Sequence, residues 1–365
     1  MKKEIFYCLA ILISMVSFSQ EEGDEFNRAG VRYAISSIGV VNQVIAVGPG
    51  NSLPVDLVIP ETVSYLDLDL EVTAIGGDAF KGNKLKSITL PSTVAIIGSG
   101  AFQNNKIESV TIPSSVTTIE INAFRNNSLV NVVFSEGLTA IKSTAFKDNK
   151  LKSITLPNTV TIIGFGAFQD NLIESVTIPS SVTTIERSAF ENNSLVNVLF
   201  SEGLTTIKSA AFKTNKLKSI TFPSSVTFID TDVFKENKND LESITAEGLV
   251  PAKIIDDSFG NRSEINLFVP EGMESDYVEA GWTGFKSILG KLIVYPNPVL
   301  DKLYLKGAIS NSIVKIYNLS GVLVKKPLKL KSQVDPVFVV DLVPGMYFLQ
   351  LISGRSVRTT KFIKQ

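Results

Sequence analysis

A phenylalanine returns every 22 residues through the middle of this 365-residue chain, at Phe80, Phe102, Phe124, Phe146, Phe168, Phe190, Phe212 and Phe234, almost always as Ala-Phe. A fixed period in the range of roughly 20 to 50 residues means one supersecondary unit stacked on copies of itself. The expected fold is a solenoid, and its working surface is long and open rather than a pocket. Read from Lys84, the units KLKSITLPSTVAIIGSGAFQNN, KIESVTIPSSVTTIEINAFRNN and SLVNVVFSEGLTAIKSTAFKDN form a 66-residue block. The block restarts at Lys150 with about a dozen changes, and a partial third copy starts at Lys216.

Within a unit, Leu85, Ile88 and Leu90 are separated by Ser87 and Thr89, the alternation of a short strand with Ile88 and Leu90 inward. Proline at 91, 113, 157, 179 and 223 lacks an amide donor and suits the corner just beyond the strand. A second apolar group follows, as in Val94, Ile97 and Phe102. One Phe and a few aliphatics cannot offset the entropy of ordering a whole unit, so a lone unit is expected to be unfolded and only stacking closes the core. Asn83, Asn105, Asn127, Asn149, Asn171, Asn193, Asn215 and Asn237 share the period. A side-chain amide donates and accepts at once, so these read as a ladder satisfying loop backbone between coils, with a ligand-binding role as the alternative.

The pattern L-x-x-I-x-I-P-x-x-V-x-x-I-x-x-x-A-F-x-x-N resembles the leucine-rich repeats of the BspA-like bacterial surface family over roughly residues 53–263. The resemblance implies a solenoid of parallel β strands with a short coil or 3-10 convex side. DLVIPETVSYLDLDLEVTAIGGDAF resembles the first, capping repeat of such proteins, and LFVPEGMESDYVEAGWTGFKSI, which holds the only tryptophan, Trp282, resembles their closing segment. Departures are small: Ser135 and Ser201 replace the proline in every third unit, and ENKND adds two residues at the last junction. The expected division is a signal peptide at 1–19, an N-terminal cap at 20–60, the solenoid at 61–263, a C-terminal cap at 264–290 and a small all-β sandwich at 291–365.

Met1 to Ser19 has the order of a secretory signal: Lys2 and Lys3, an apolar run from Ile5 to Val16, then Ser17 and Ser19 in the small positions. The run is too short to span a bilayer, and no transmembrane span is expected in the mature form. Cys8, the only cysteine, lies within it, so no mature disulfide or thiolate metal site is expected. From about Leu292 the 22-residue rhythm gives way to alternating strands separated by turn residues. This stretch resembles the type A C-terminal sorting domain of the type IX secretion system of Bacteroidota. The resemblance is carried by Tyr295, Pro296, Asn297 and Pro298 at its start, Gly321 in a hairpin, Gly345-Met346-Tyr347 before a strand, and Lys361 near the end. It implies export across the outer membrane through the secretion machinery, with removal of the domain as the passenger is attached or released.

Charge separates the same two parts. Residues 301–365 hold 11 Lys and Arg against 3 Asp, a net of +8, whereas the first 300 carry 24 against 33, a net of −9. The lysines are scattered along strands without an aromatic-rich basic groove, so no nucleic-acid partner is expected.

The sequence contains no histidine, which removes Ser-His-Asp and Cys-His machinery and the commonest general base and zinc ligand. No catalytic residue, cofactor or metal is expected. A glycosidase needs only two carboxylates facing one groove, and Glu108 and Glu174 occupy equivalent repeats. Each follows a lysine one coil earlier, Lys86 or Lys152, so a solvated cross-strand ion pair is the plainer reading. Gly98-Ser99-Gly100 reads as a turn.

The outward columns are more informative. One runs Ser87, Ser109, Asn131, Ser153, Ser175, Asn197, and its neighbour Thr89, Thr111, Val133, Thr155, Thr177, Leu199. They suit a solvated strand, or a recognition face for an extended partner in which Val133 and Leu199 are apolar anchors. Ile121, Phe165 and Leu172 replace polar or small residues of sister repeats and would mark a contact if grouped. The expected function is adhesion or protein binding at the cell surface, the partner being an extracellular protein or cell-surface ligand. Alternatives are a surface glycan-handling enzyme with paired carboxylates and an ice- or crystal-surface binder built on the Ser-x-Thr columns.

Overall fold

The structure, a computed structural model, describes residues 24–365 apart from 38–42, 238–240, 256, 309–310, 333–334 and 354–355. The signal-like segment Met1–Ser19 lies outside the described residues. Residues between Asp56 and Gly290 form a succession of short elements repeated coil upon coil, as the period requires. In the central coils the first strand, where it forms, holds the predicted alternation, for example Ser109–Ile112 with Val110 and Ile112 buried and Ser109 and Thr111 exposed. Equivalent strands pair in parallel and in register, Ser109 with Asn131 and Ser175 with Asn197.

A second column, which alternation alone did not reveal, follows each corner. Its members are two residues long, Ile96–Ile97, Thr118–Ile119, Ala140–Ile141, Ile162–Ile163, Thr184–Ile185, Thr206–Ile207, Phe228–Ile229 and Lys253–Ile254. They join one continuous sheet that runs back through Leu68–Ile75 to the N-terminal strands. Beyond these dipeptide strands each coil runs through short turns to the next, as the expected solenoid requires, and among the described residues the one 3-10 segment is Arg262–Glu264, beyond the last coil. The first column is less continuous. Its sheets are Asp56–Val58 with Ser87–Thr89, Ser109–Ile112 with Asn131–Phe134, Ser175–Ile178 with Asn197–Phe200, and a four-stranded sheet from Ser219–Phe222 to Ser287–Gly290. The stretch 153–156 between the two middle pairs forms no regular strand, so the 66-residue block of the sequence reappears as a period in the sheet.

Each phenylalanine lies in a turn between two left-handed residues, as in Asn122 (φ 59°) and Asn126 (φ 55°) around Phe124. Those conformations suit Gly, Asn and Asp, which fill most of the two columns. The turn aims the ring inward and leaves its amide free for the next coil: Phe124 N–H donates to Ala145 O at 2.8 Å. The rings stack without interruption from Phe80 to Phe259 at centroid separations of 5.3 to 5.7 Å. Beside them runs the asparagine ladder. Asn127 Oδ1 accepts from the amide of Ile107 at 3.1 Å, while its Nδ2 donates to Phe102 O at 2.8 Å and Phe124 O at 3.1 Å. Seven of the eight expected asparagines do this. Asn83 is the exception, with one hydrogen bond to Lys81 O, because its preceding segment belongs to the N-terminal strands.

Both ends of the stack are covered. At the front, Glu25–Arg28, Val31–Ser37 and Gln43–Pro49 extend the continuous sheet, and Phe26 stacks on Tyr65 at 4.2 Å. At the back, the helix Glu274–Glu279 and Trp282 close over Phe259 at 5.6 Å. Both donors there are satisfied by the last coil: Tyr277 OH donates to Gly248 O and Trp282 Nε1–H to Ala252 O.

Two separate hydrophobic cores result, one with members from Phe26 to Trp282 and one with members from Leu292 to Phe362. The second lies between a sheet of Ile293–Tyr295, Lys302–Lys306 and Val337–Phe338 and a sheet of Leu328–Lys329, Ile313–Tyr317, Gly345–Ser353 and Ser356–Lys364. Arg358 ties it to the capped end of the solenoid. Its Nη1–H donates to Gly290 O at 3.2 Å and its guanidinium lies 5.4 Å from the Phe268 ring. Burial pulls Arg358 down to about 10, opposed by the charge of Glu271.

Candidate functional site

All twelve candidate residues of the strand face, Ser87 through Leu199, are exposed. The register sets Val133 beside Thr111 and Leu199 beside Thr177, so each apolar side chain abuts a hydroxyl one coil away. Val133 is 46% exposed and Leu199 61%. Val130 and Val196, just before the same strands, are exposed as well. The columns also run further than the repeats suggested, through Val58 at the front and Thr245 at the back.

Two columns of hydroxyls just beyond the corner are occupied by the coil before them. Ser115, Thr159, Ser181 and Ser225 donate to the backbone carbonyls of Val94, Leu138, Val160 and Leu204. Thr117, Thr139, Thr161, Thr205 and Thr227 do the same one step along. On the turn side, polar side chains bridge coils, as in Asn126 to Asn104, Thr144 to Asn122 and Gln169 to Glu191. The strand face differs. Apart from Ser87, which donates to Asp56 at 2.7 Å, none of its Ser, Thr or Asn side chains in the two columns hydrogen-bonds to the protein. Donors and acceptors that stacking does not use remain in water, next to exposed aliphatics.

Glu108 and Glu174 lie exposed on this side. Adjacent coils bring backbone together, Glu108 N to Lys86 O and Glu174 N to Lys152 O, but the expected Lys86–Glu108 and Lys152–Glu174 ion pairs do not form. The inter-coil ion pairs of the repeats lie on the turn side instead, Arg125–Asp148 at 3.2 Å, Lys147–Asp170 at 3.4 Å, Lys208–Glu186 at 2.7 Å and Lys213–Glu236 at 3.6 Å. Glu271 and Glu274 do share a cavity of about 370 Å³ between the cap and the C-terminal domain, but Lys306 reaches Glu271 at 3.6 Å, so one of the two carboxylates is already ion-paired. Ile121 and Phe165 are exposed in one turn-side column with the coil of Ser143 between them, and Leu172 lies past the Asn171 turn. The three are not grouped. The strand columns also fail the regularity an ice lattice needs, since Asn131, Val133, Asn197 and Leu199 and the break at 153–156 interrupt them.

The C-terminal motif residues are spread through that domain and do structural work. Asn297 Oδ1 accepts from the amide of Ile363 at 2.8 Å, which ties the Tyr295–Pro298 loop to the last strand. Tyr295 stacks on Tyr304 at 5.7 Å, and Gly321 takes φ 75° in the Asn318–Gly321 turn. Gly345 opens the long strand opposite Lys364, Tyr347 is buried against Phe362 at 5.5 Å with its hydroxyl donating to Val343 O, and Lys361 is exposed opposite Phe348. Pro296 and Pro298 are exposed in the loop.

Among the described residues no helix is long and apolar enough to cross a membrane. Residues 61–172 and 139–266, together more than half of the chain, match the BspA type leucine rich repeat region, and residues 293–365 match the secretion system C-terminal sorting domain. No curated protein matches the chain. Among solved structures, a leucine-rich repeat protein from Bacteroides ovatus ATCC 8483 is 26% identical, covers 72% of this chain and 76% of its own, and superposes with a TM-score of 0.51. The pneumococcal vaccine antigen PcpA is 17% identical over 74% of this chain and 99% of its own, with a TM-score of 0.42. The repeats, the stacked phenylalanines, the covered ends and the tail together place the chain in the BspA-type leucine-rich repeat family, as a surface or secreted protein that carries a type IX sorting domain.

Proposed function

We propose that the solenoid is a non-enzymatic binding module, displayed on or released from the outer surface, that holds an extracellular protein or cell-surface ligand along its strand face. One observation carries the reading: the ladder asparagines and the hydroxyls just after each corner bond to neighbouring coils, yet the Ser, Thr and Asn side chains beside exposed Val133 and Leu199 stay unpaired. A partner laid along this face gains hydrogen bonds without breaking any inside the protein, and the aliphatics supply apolar area at the centre. The inward-pointing residues and the asparagine ladder make the face rigid, which lowers the ordering cost on binding.

The test is binding of the purified chain to immobilised matrix proteins, glycans and bacterial envelope fractions, compared with a Val133→Glu/Leu199→Glu variant. The expected result is a saturable interaction that the variant weakens by at least about tenfold with an unchanged melting temperature. Equal binding by parent and variant would remove the strand face from the reading.

A further inference from the structure

The C-terminal domain buries one face of its larger sheet and leaves the other open. Register fixes what lies on that outer face. At one end Met346 sits opposite Ile363, and Tyr317 opposite Phe348. In the middle, Lys315, Gln350 and Thr359 form a polar row, and Ile352 with Val357 closes the far end. Met346, Phe348, Val357 and Ile363 remain exposed even with the solenoid in place, so none of the described residues covers the face. A monomeric domain of this size rarely leaves so many apolar side chains together in water unless a partner takes them.

The charge is as one-sided as the apolarity. None of the four strands of this sheet contains an aspartate or glutamate, while Lys315, Lys329 and Lys361 lie outward. Two of the three acidic residues of 301–365 are already engaged, Asp341 with Lys325 and Asp335 with the Lys331–Ser332 backbone. We propose that this outer face, with Tyr317 and Phe348 as its anchors, is the surface by which the sorting domain docks on an acidic, partly apolar protein surface of the export machinery. It rests on the sorting domain and is independent of the strand-face reading. A protein surface is favoured over lipid because the middle row of Lys315, Gln350 and Thr359 lies between the two apolar ends. Acyl chains could not satisfy those groups, whereas a folded partner can present carbonyls and carboxylates to them.

The experiment follows export of the full chain in a host with this secretion system, measuring protein outside the cell and in the periplasm. Three variants are compared: Tyr317→Ser/Phe348→Ser, Lys315→Glu/Lys361→Glu, and Val343→Ser, an exposed apolar site off this face. Each of the two face variants is expected to lower export by at least about tenfold and accumulate in the periplasm with the parental melting temperature. Val343→Ser is expected to export normally. The lysine pair changes only surface charge, so it answers the question even if loss of the aromatics unsettles the fold. Normal export of both face variants overturns the proposal, whereas normal export of a chain lacking 296–365 would instead sink the sorting assignment itself. Co-sedimentation of the parent with phosphatidylglycerol and phosphatidylcholine vesicles, abolished by Tyr317→Ser/Phe348→Ser, would assign the face to lipid and overturn the protein partner.

Discussion

Asn171 uses its side-chain amide on four backbone groups, accepting from Leu151 N–H at 3.1 Å and donating to the carbonyls of Phe146 at 2.9 Å, Phe168 at 3.1 Å and Gln169 at 3.3 Å. The first three lie in the buried strip beside the phenylalanine stack, so an alanine there leaves buried donors and acceptors unpaired. Asn171→Ala is expected to cost on the order of 3 kcal/mol in denaturant unfolding, and Asn83→Ala, which lacks the inter-coil bonds, less than about 1 kcal/mol. The ladder was legible because every unit repeats the residue. Less legible was the residue before it. That column reads Asn104, Asn126, Asp148, Asp170, Asn192, Thr214 and Glu236, and all seven take positive φ between 55° and 60°. Its last two members hide the preference that the first five display. Thr214 is β-branched in a conformation costing roughly 1 to 2 kcal/mol for ordinary residues, so Thr214→Asn is expected to raise stability by about 1 kcal/mol, read as a higher denaturation midpoint.

At the scale of elements, the strand Ser109–Ile112 could be read from alternation, whereas Thr118–Ile119 could not, because two residues are too few for any period. It exists because stacking places identical dipeptides side by side, a tertiary cause that one unit does not display. The candidate face had the same split. Its columns followed from counting in steps of 22, but which hydroxyls stay unpaired depends on whether a neighbouring carbonyl lies within reach, and Ser115 and Ser109 look alike in sequence. The covers at the two ends add a pH dependence. Burial pushes Tyr33, in the front cover, and Tyr277, in the back cover, each up to about 12 from the usual 10. An unfolded chain therefore releases these protons above pH 10 while the native one holds them until about 12. Stability is complete below pH 10 and falls as pH rises through that window, by on the order of 2 to 3 kcal/mol per tyrosine. Unfolding at pH 9 and 11.5 checks the sign. The Tyr33 hydroxyl is buried without a hydrogen-bond partner, so Tyr33→Phe should both flatten the fall and lose nothing at neutral pH.

The whole molecule is an acidic solenoid with covered ends joined to a basic domain that has its own core. Contacts between the described residues of the two parts include Arg358 on Gly290 and Phe268, Lys306 on Glu271 and Lys291 on Glu247. Trp282 and Tyr277 already close the last coil from within the solenoid, so the tail is not needed to cover the stack. Removing 296–365 is therefore expected to leave a folded repeat domain whose melting temperature stays within a few degrees of the parent, since Phe268 and Glu271 lose one neighbour each but no coil loses its cover. What should change is location. Without its sorting domain the truncated chain is expected to remain in the periplasm, folded and resistant to protease. Because the tail core runs from Leu292 to Phe362 without a solenoid residue in it, 285–365 fused to an unrelated folded reporter should carry that reporter outside the cell. Fractionation of cells expressing both chains decides the matter: truncated protein found outside at parental levels, or a fused reporter held in the periplasm, would show that the tail does not direct export.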